Sequence, residues 1–169
     1  MNASHFVWTM PSPVGTLTLL SDDSYIIGVY MPSHKGDPHI DPTRKSDPGP
    51  FREAVTELQA YFAGELTEFT VPVRGRGTDF QQRVWAALRD IPYGHTASYG
   101  AIAAAIGNPK AVRAVGLANG RNPVSIIVPC HRVVGANGSL TGYGGGLANK
   151  ELLLNLEQRV FAGAASTPA

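Results

Sequence analysis

The sequence has a single cysteine in 169 residues. A lone thiol cannot close an intramolecular disulfide, nor can it supply a zinc site built from several cysteines. Charge is also scarce. Asp, Glu, Lys and Arg make up 16% of the chain, against roughly 25% in an average soluble domain. With 43% hydrophobic residues, this excludes a polyelectrolyte or disordered chain and allows a sizeable core. No run approaches the roughly 18 apolar residues that a membrane span needs. The first twenty residues lack a basic segment leading into an apolar one, and Pro11 and Pro13 interrupt them, so no export signal is read. Together these absences describe a soluble intracellular protein of one or two small domains, in which a thiol stays reduced.

Another absence is local. No acidic residue lies between Asp90 and Glu151, a stretch that holds Lys110, Arg113, Arg121, Arg132 and Lys150 together with His95 and His131. Residues 1–77 carry six basic and nine acidic side chains, and residues 78–169 carry eight and four. The formal net charge of +1 therefore averages an acidic half and a basic half. Such asymmetry points to a polyanionic partner, although five bases over sixty residues also suit an ordinary solvated surface.

What is present begins with strands. His5–Met10, Thr16–Leu20 and Tyr25–Met31 are short β-branched, aromatic and aliphatic runs separated by turn residues. Residues 32–50 are rich in proline and charge and read as an exposed loop. A helix is predicted from about Pro50, with Phe51, Val55, Leu58 and Phe62 on one face and Gly64 as its stop. Phe69–Val73 reads as one more strand, and Arg74-Gly75-Arg76-Gly77 as a linker. Beyond it, Thr78-Asp79-Phe80-Gln81 fits a capping box ahead of an apolar stripe of Phe80, Val84, Trp85, Leu88 and Ile91. Ser98 can cap a second helix that Gly107 closes. Asn108 and Pro109 sit where the N-cap and first residue of a third helix belong. Two short helices joined by Gly-Asn-Pro suit a helix-turn-helix. The third helix surrounds Arg113 with Ala111, Val112, Ala114, Gly116 and Ala118. Small side chains allow a backbone to approach a narrow minor groove, and they equally allow tight helix packing.

Chemistry concentrates around Cys130, in Ile126-Ile127-Val128-Pro129-Cys130-His131-Arg132-Val133. A thiolate is the nucleophilic form of cysteine, and a neighbouring imidazole can take the thiol proton directly or through a water. A buried structural cysteine is the other reading. Leu152, Leu153, Leu156 and Val160 form the apolar face of a C-terminal helix, and Glu157 sits at its edge. A carboxylate there needs a cation or donor, and pairing with His131 would orient the imidazole. Asn122-Pro123 begins the turn into a cysteine-bearing strand, and Tyr99 and Tyr143 are further polar candidates. The glycines at 142 and 144–146 fit neither a Walker A loop nor a dinucleotide fingerprint.

Pro129-Cys130-His131-Arg132-Val133, with Asn122-Pro123 before it and Tyr143-Gly144-Gly145-Gly146 after it, resembles the O6-alkylguanine-DNA alkyltransferases, the methylated-DNA–protein-cysteine methyltransferases. The likeness runs from about Gly77 to Val160 and includes Gly-Thr-Asp-Phe-Gln, Ile-Pro-Tyr-Gly and Arg-Ala-Val-Gly. It implies an α/β (α+β) fold with a small β-rich N-terminal domain over 1–77. A mainly helical domain over 78–160 would carry a winged-helix-like helix-turn-helix, and 161–169 would form a disordered tail. It implies that Cys130 takes the alkyl group from O6 of guanine, or O4 of thymine, while His131 relays the proton and Glu157 orients the imidazole. Asn122 would brace the turn, and Tyr99 would assist extrusion and protonate the leaving base. Tyr143, Val133 and Gly144 would line the base pocket. Arg113, with Ala114 and Gly116 beside it, would enter the duplex from the minor groove, and Lys110, Arg121 or Arg132 would meet phosphates. The expected partner is double-stranded DNA containing O6-alkylguanine. The protein would be a monomer able to cluster on DNA, needing no cofactor or metal, in the cytoplasm and on the nucleoid.

Two other functions fit parts of the sequence. A Cys–His thiol hydrolase would turn over, but its cysteine and histidine are usually far apart in sequence. A non-catalytic reader of alkylated DNA, or a helix-turn-helix regulator, would have no use for a reactive cysteine.

Overall fold

The computed structural model describes residues 5–32, 43–140, 143 and 146–166. The N-terminal half opens with a four-stranded sheet whose strands lie in the order Ile26–Tyr30, Leu17–Ser21, Phe6–Met10 and Lys45–Ser46. Strands β1 (Phe6–Met10), β2 (Leu17–Ser21) and β3 (Ile26–Tyr30) form an antiparallel meander. The β1–β2 connection is tied by the Ser12 hydroxyl, which donates to the Gly15 carbonyl at 2.6 Å. In the β2–β3 turn the Asp22 carboxylate accepts the N–H groups of Ser24 and Tyr25. These are the local side-chain bonds that make Ser and Asp turn residues.

The predicted loop over 32–50 is partly structured. Lys45–Ser46 forms β4, parallel to β1, and Gly49–Phe51 forms a 3₁₀ turn into α1 (Arg52–Phe62). The remainder of that segment, residues 33–42, lies outside the described residues. Helix α1 buries Ala54, Leu58 and Tyr61, a face turned slightly from the expected Val55 and Phe62, which are only partly covered. Phe69–Val73 does not form a strand. Only Val73 bridges to Ile26, while the N–H groups of Thr70 and Val71 donate to the Glu57 carboxylate. A side-chain acceptor has taken the donors that a neighbouring strand would have used.

The outer edge of β3 closes first on its own half and then on the C-terminal half. Ile26 bridges Val73, and Val29 bridges Val124, with Val29 N–H donating to the Pro123 carbonyl at 2.9 Å. A sheet edge that would otherwise present unpaired backbone groups is thereby covered. This seats the sheet directly against the segment that leads to Cys130.

In the C-terminal half, α2 (Asp79–Leu88) starts with the expected capping box. Gln81 N–H donates to Thr78 Oγ1 at 3.1 Å, and Thr78 N–H donates to Gln81 Oε1 at 2.9 Å. Helix α3 (Tyr99–Ala105) follows a short strand, β5 (Ala97–Ser98), and is capped by Ser98. Helix α4 spans Val112–Gly120. It begins later than the Asn108–Pro109 signal implied, because residues 108–111 close a separate turn, with Ala111 N–H donating to the Asn108 carbonyl at 2.9 Å. The pair α3–turn–α4 makes the helix-turn-helix, and Trp85 of α2 donates its indole N–H to the Ala118 carbonyl beneath it.

The apolar run into Cys130 is not a regular strand. Val124–Val128 makes only isolated bridges, and Ile126 has φ +73°, a left-handed conformation that a β-branched residue rarely takes. Cys130–Arg132 forms a 3₁₀ turn, and β6 (Val133–Val134) then pairs with β5. The last helix, α5, runs from Leu147 to Ser166, so the chain stays helical well into the segment expected to be disordered. The ring of Phe161 stacks edge-on to His95 at 5.0 Å and lies against Gly94, where φ is +80° and a β-carbon would stand 2.6 Å from the ring. The ring stays partly exposed, and its contact with Gly94 and His95 gives the final turns a reason to stay wound. Among the described residues no helix is long and apolar enough to cross a membrane.

Candidate active site

The site is built where three pieces of chain converge: the irregular segment after Asn122, the 3₁₀ turn at Cys130, and α5. Cys130 is only 3% exposed. Burial raises its thiol pKa, opposed by the hydrogen bond from Asn122 and then by the charge of Lys150. The resting group is therefore a thiol that must lose its proton as it reacts.

Asn122 is the brace. Its side-chain NH₂ reaches the Val128 carbonyl at 2.9 Å, the Val124 carbonyl at 3.3 Å and Cys130 Sγ at 3.2 Å. Its carbonyl accepts Val124 N–H at 3.0 Å. One amide thus fixes both ends of the strained turn and touches the nucleophile. Asn119, on the buried side of α4, adds a bond to the Cys130 carbonyl at 3.3 Å.

His131 and Glu157 meet as expected, with Nε2 2.6 Å from Oε2 and both residues buried. Burial lowers the imidazole pKa against the raising influence of Glu157, with Arg132 and Lys150 lowering it further, so the ring is neutral. Burial alone would raise the Glu157 pKa, but the hydrogen bonds from His131 and Arg132, with the Arg132 charge, hold it down to about 2. A neutral ring bound to a carboxylate through Nε2 carries its proton there, which makes Nδ1 the basic nitrogen. Nδ1 is buried and has no hydrogen-bond partner among the described residues.

Arg132 corrects a sequence expectation. It is 6% exposed and faces inward, away from any phosphate. Its Nε and Nη2 grip the two Glu157 oxygens at 2.8 and 3.1 Å, and Nη1 donates to the Ile91 carbonyl at 2.7 Å. The planar guanidinium suits this bidentate duty. Lys150 is likewise fully buried, with burial lowering its pKa to about 8 and its ammonium 5.9 Å from the Tyr143 ring. Two of the five bases in the acid-free stretch therefore serve the interior. Lys110, Arg113 and Arg121 are exposed, and so is Ala114.

Tyr99 is the first residue of α3, and its ring lies across Gly116 of α4, 3.8 Å from where a β-carbon would stand. Val133 is buried in β6, whose pairing with β5 ties the turn at Cys130 to the start of α3. Tyr143 is buried close enough to Cys130 that, after burial itself, the cysteine is the largest influence raising its pKa. Gly144 lies outside the described residues.

Sequence reasoning missed Tyr61. Its hydroxyl donates to Glu157 Oε2 at 2.6 Å from the far half of the chain. The available signal was a tyrosine one turn after Leu58, since a buried phenol needs an acceptor.

A buried thiol, an imidazole–carboxylate pair at the next residue and a helix-turn-helix occur together in known proteins. The family model described as 6-O-methylguanine DNA methyltransferase, DNA binding domain, matches residues 79–159, and the ribonuclease-like domain of the same methyltransferase matches 7–74. The chain belongs to this methyltransferase family. Among its relatives is the methylated-DNA–protein-cysteine methyltransferase of Mycobacterium tuberculosis, 58% identical over 153 residues that cover 89% of this chain and 90% of that one. The protein of the same name from Methanosarcina acetivorans is 53% identical over 146 residues, covering 86% and 94%. Among solved structures, Mycobacterium tuberculosis OGT in complex with DNA superposes with a TM-score of 0.88 at 56% identity, covering 92% of this chain and 94% of that one.

Proposed function

We propose that this methyltransferase repairs duplex DNA by moving an alkyl group from O6 of guanine, and from O4 of thymine, onto Cys130, once per molecule. The carrying observation is the buried thiol followed directly in the chain by a neutral imidazole whose Nε2 is held by Glu157 and whose Nδ1 has no partner among the described residues. The thiol proton passes to Nδ1 through a water, and Glu157 stabilises the imidazolium that forms. The sulfur electron pair attacks the alkyl carbon. An S–C bond forms as the C–O6 bond breaks, and the electrons left on O6 spread into the purine. N1 takes a proton from the Tyr99 hydroxyl, which regains one from solvent while His131 releases its own. The thioether is stable, and no other cysteine in the chain offers a route to free it.

O6 inside a stacked duplex is out of reach of a pocket nucleophile, so the base must be extruded at a cost of a few kcal/mol. Exposed Arg113 on α4 is suited to fill the vacated stack from the minor groove, with Ala114 and Gly116 letting the backbone come close. Lys110 and Arg121 remain as phosphate contacts. Tyr143, the backbone at Val133, and the Gly144 N–H are assigned to the base pocket. The division of labour at Gly77/Thr78 is supported by the two family models falling on either side of it. The protein acts as a monomer in the cytoplasm, on the nucleoid when DNA-bound.

Intact-protein mass spectrometry after incubation with duplex DNA containing O6-methylguanine tests the reading. One methyl group should be gained per chain, mapped to the Cys130 peptide and abolished by Cys130→Ser. Repeated turnover would favour a thiol hydrolase, and binding without a mass change would favour a non-catalytic reader. Either result sinks the proposal.

A further inference from the structure

Glu157 holds more donors than a two-residue relay requires. Oε2 accepts the Tyr61 hydroxyl at 2.6 Å, His131 Nε2–H at 2.6 Å and Arg132 Nη2–H at 3.1 Å. Oε1 accepts Arg132 Nε–H at 2.8 Å and, more weakly, Gly94 N–H at 3.5 Å. Arg132 and His131 are neighbours of the nucleophile, but Tyr61 arrives from α1, ninety-six positions before Glu157. It is fully buried, and its ring packs against Phe62, Phe69 and Tyr93 at centroid distances of 5.3, 5.5 and 6.2 Å.

We propose that Tyr61 is a positioning residue for alkyl transfer: its hydroxyl shares Oε2 with the imidazole and so keeps His131 neutral, with Nδ1 open to the thiol proton. The proposal rests on the assignment of His131 and Glu157 as the proton relay. A carboxylate oxygen that already receives a short O–H···O⁻ bond has less negative charge to offer a second donor. The imidazolium is correspondingly less favoured at rest. The phenol remains a donor, because burial and then the Glu157 charge push its pKa upward. The other titratable or charged groups facing the pair are Arg132 beside it, Lys150 on α5, Tyr93 between α2 and α3, Cys130 and Tyr143. Of these only Arg132 also bonds Oε2, and it does so at longer range. Among the described residues, the N-terminal half thus meets the Glu157 carboxylate through the Tyr61 hydroxyl.

The test is the single-turnover rate constant of methyl transfer to the full-length protein, measured against pH with an O6-methylguanine duplex. The final extent of methylation counts competent molecules, so folding losses separate from chemistry. Tyr61→Phe keeps the ring packing and removes only the hydroxyl. Its rate profile should keep its alkaline plateau, while the acid-side midpoint moves up by about half to one unit, slowing the reaction roughly three- to tenfold on the acid limb. Replacing Tyr61 with 3-fluorotyrosine, a stronger donor of nearly the same size, should move the midpoint down, and this arm decides the matter if Tyr61→Phe does not fold. Midpoints equal to wild type, or a change only in the final extent, would overturn the proposal. Glu157→Gln in the same assay distinguishes the two failures. If it leaves rate and midpoint untouched, the relay itself is wrong. If it slows transfer while both Tyr61 variants track wild type, only the role of Tyr61 is wrong.

Discussion

Asn122→Ala should cost about 2–5 kcal/mol of stability, a magnitude that follows bond by bond. Val124 N–H has the Asn122 carbonyl as its acceptor and would be left buried and unpaired, at about 1–3 kcal/mol. The Val128 and Val124 carbonyls lose less, about 0.5–1 kcal/mol each, because they keep the N–H groups of Cys130 and Val128 respectively. Against a total stability of roughly 5–15 kcal/mol, this is a large fraction. The side chain also offsets strain, since Ile126 at φ +73° adds about 1–3 kcal/mol that only surrounding bonds can hold in place. Urea denaturation followed by tryptophan fluorescence should show the midpoint falling by about 1–2 M. The same variant loses the hydrogen bond that most strongly opposes burial at Cys130, so its thiol pKa rises further and methyl transfer slows about tenfold per unit. A stability loss below about 1 kcal/mol would mean that the docking of Val29 on Pro123 and Ser125, rather than Asn122, holds the turn. An unchanged rate in a folded variant would remove Asn122 from the chemistry.

Other outcomes follow from the same geometry. Arg113→Ala should slow repair of duplex DNA at least tenfold while leaving transfer from free O6-methylguanine intact; equal effects on both substrates would remove it from extrusion. Arg121→Met should weaken DNA binding and reduce its salt slope by about 1, whereas Arg132→Met should leave the slope unchanged and destabilise the fold by about 3–5 kcal/mol, since it strands the Glu157 charge. The Glu157 pKa is depressed to about 2 on folding, so its contribution is present above the usual 4.5 and fades as pH falls toward 2. Acid unfolding should therefore steepen in that window, and a flat stability profile between pH 5 and 2 would contradict it.

The helix caps and stops were legible because they are local. Thr78, Ser98 and Gly64 act within a few residues of themselves, and their helices end where short-range bonding dictates. The pairing of His131 with Glu157 was legible for a different reason: a carboxylate at the edge of an apolar helix face must find a donor, and few were on offer. The failures are equally physical. Phe69–Val73 has strand composition, yet Glu57 had already claimed its donors. The final residues look featureless, yet Phe161 has a glycine to pack on.

By itself the sequence determined the nucleophile, since there is only one thiol, and the chemistry of its neighbours. It also determined that the basic charge belongs to the C-terminal half. Only the tertiary structure decided which of those bases face solvent and which hold the site together. It turned Arg132 and Lys150 inward and left Lys110, Arg113 and Arg121 outside. It alone brought Tyr61 to Glu157. A hydrogen bond across ninety-six residues is a property of packing, and no spacing along the chain records it.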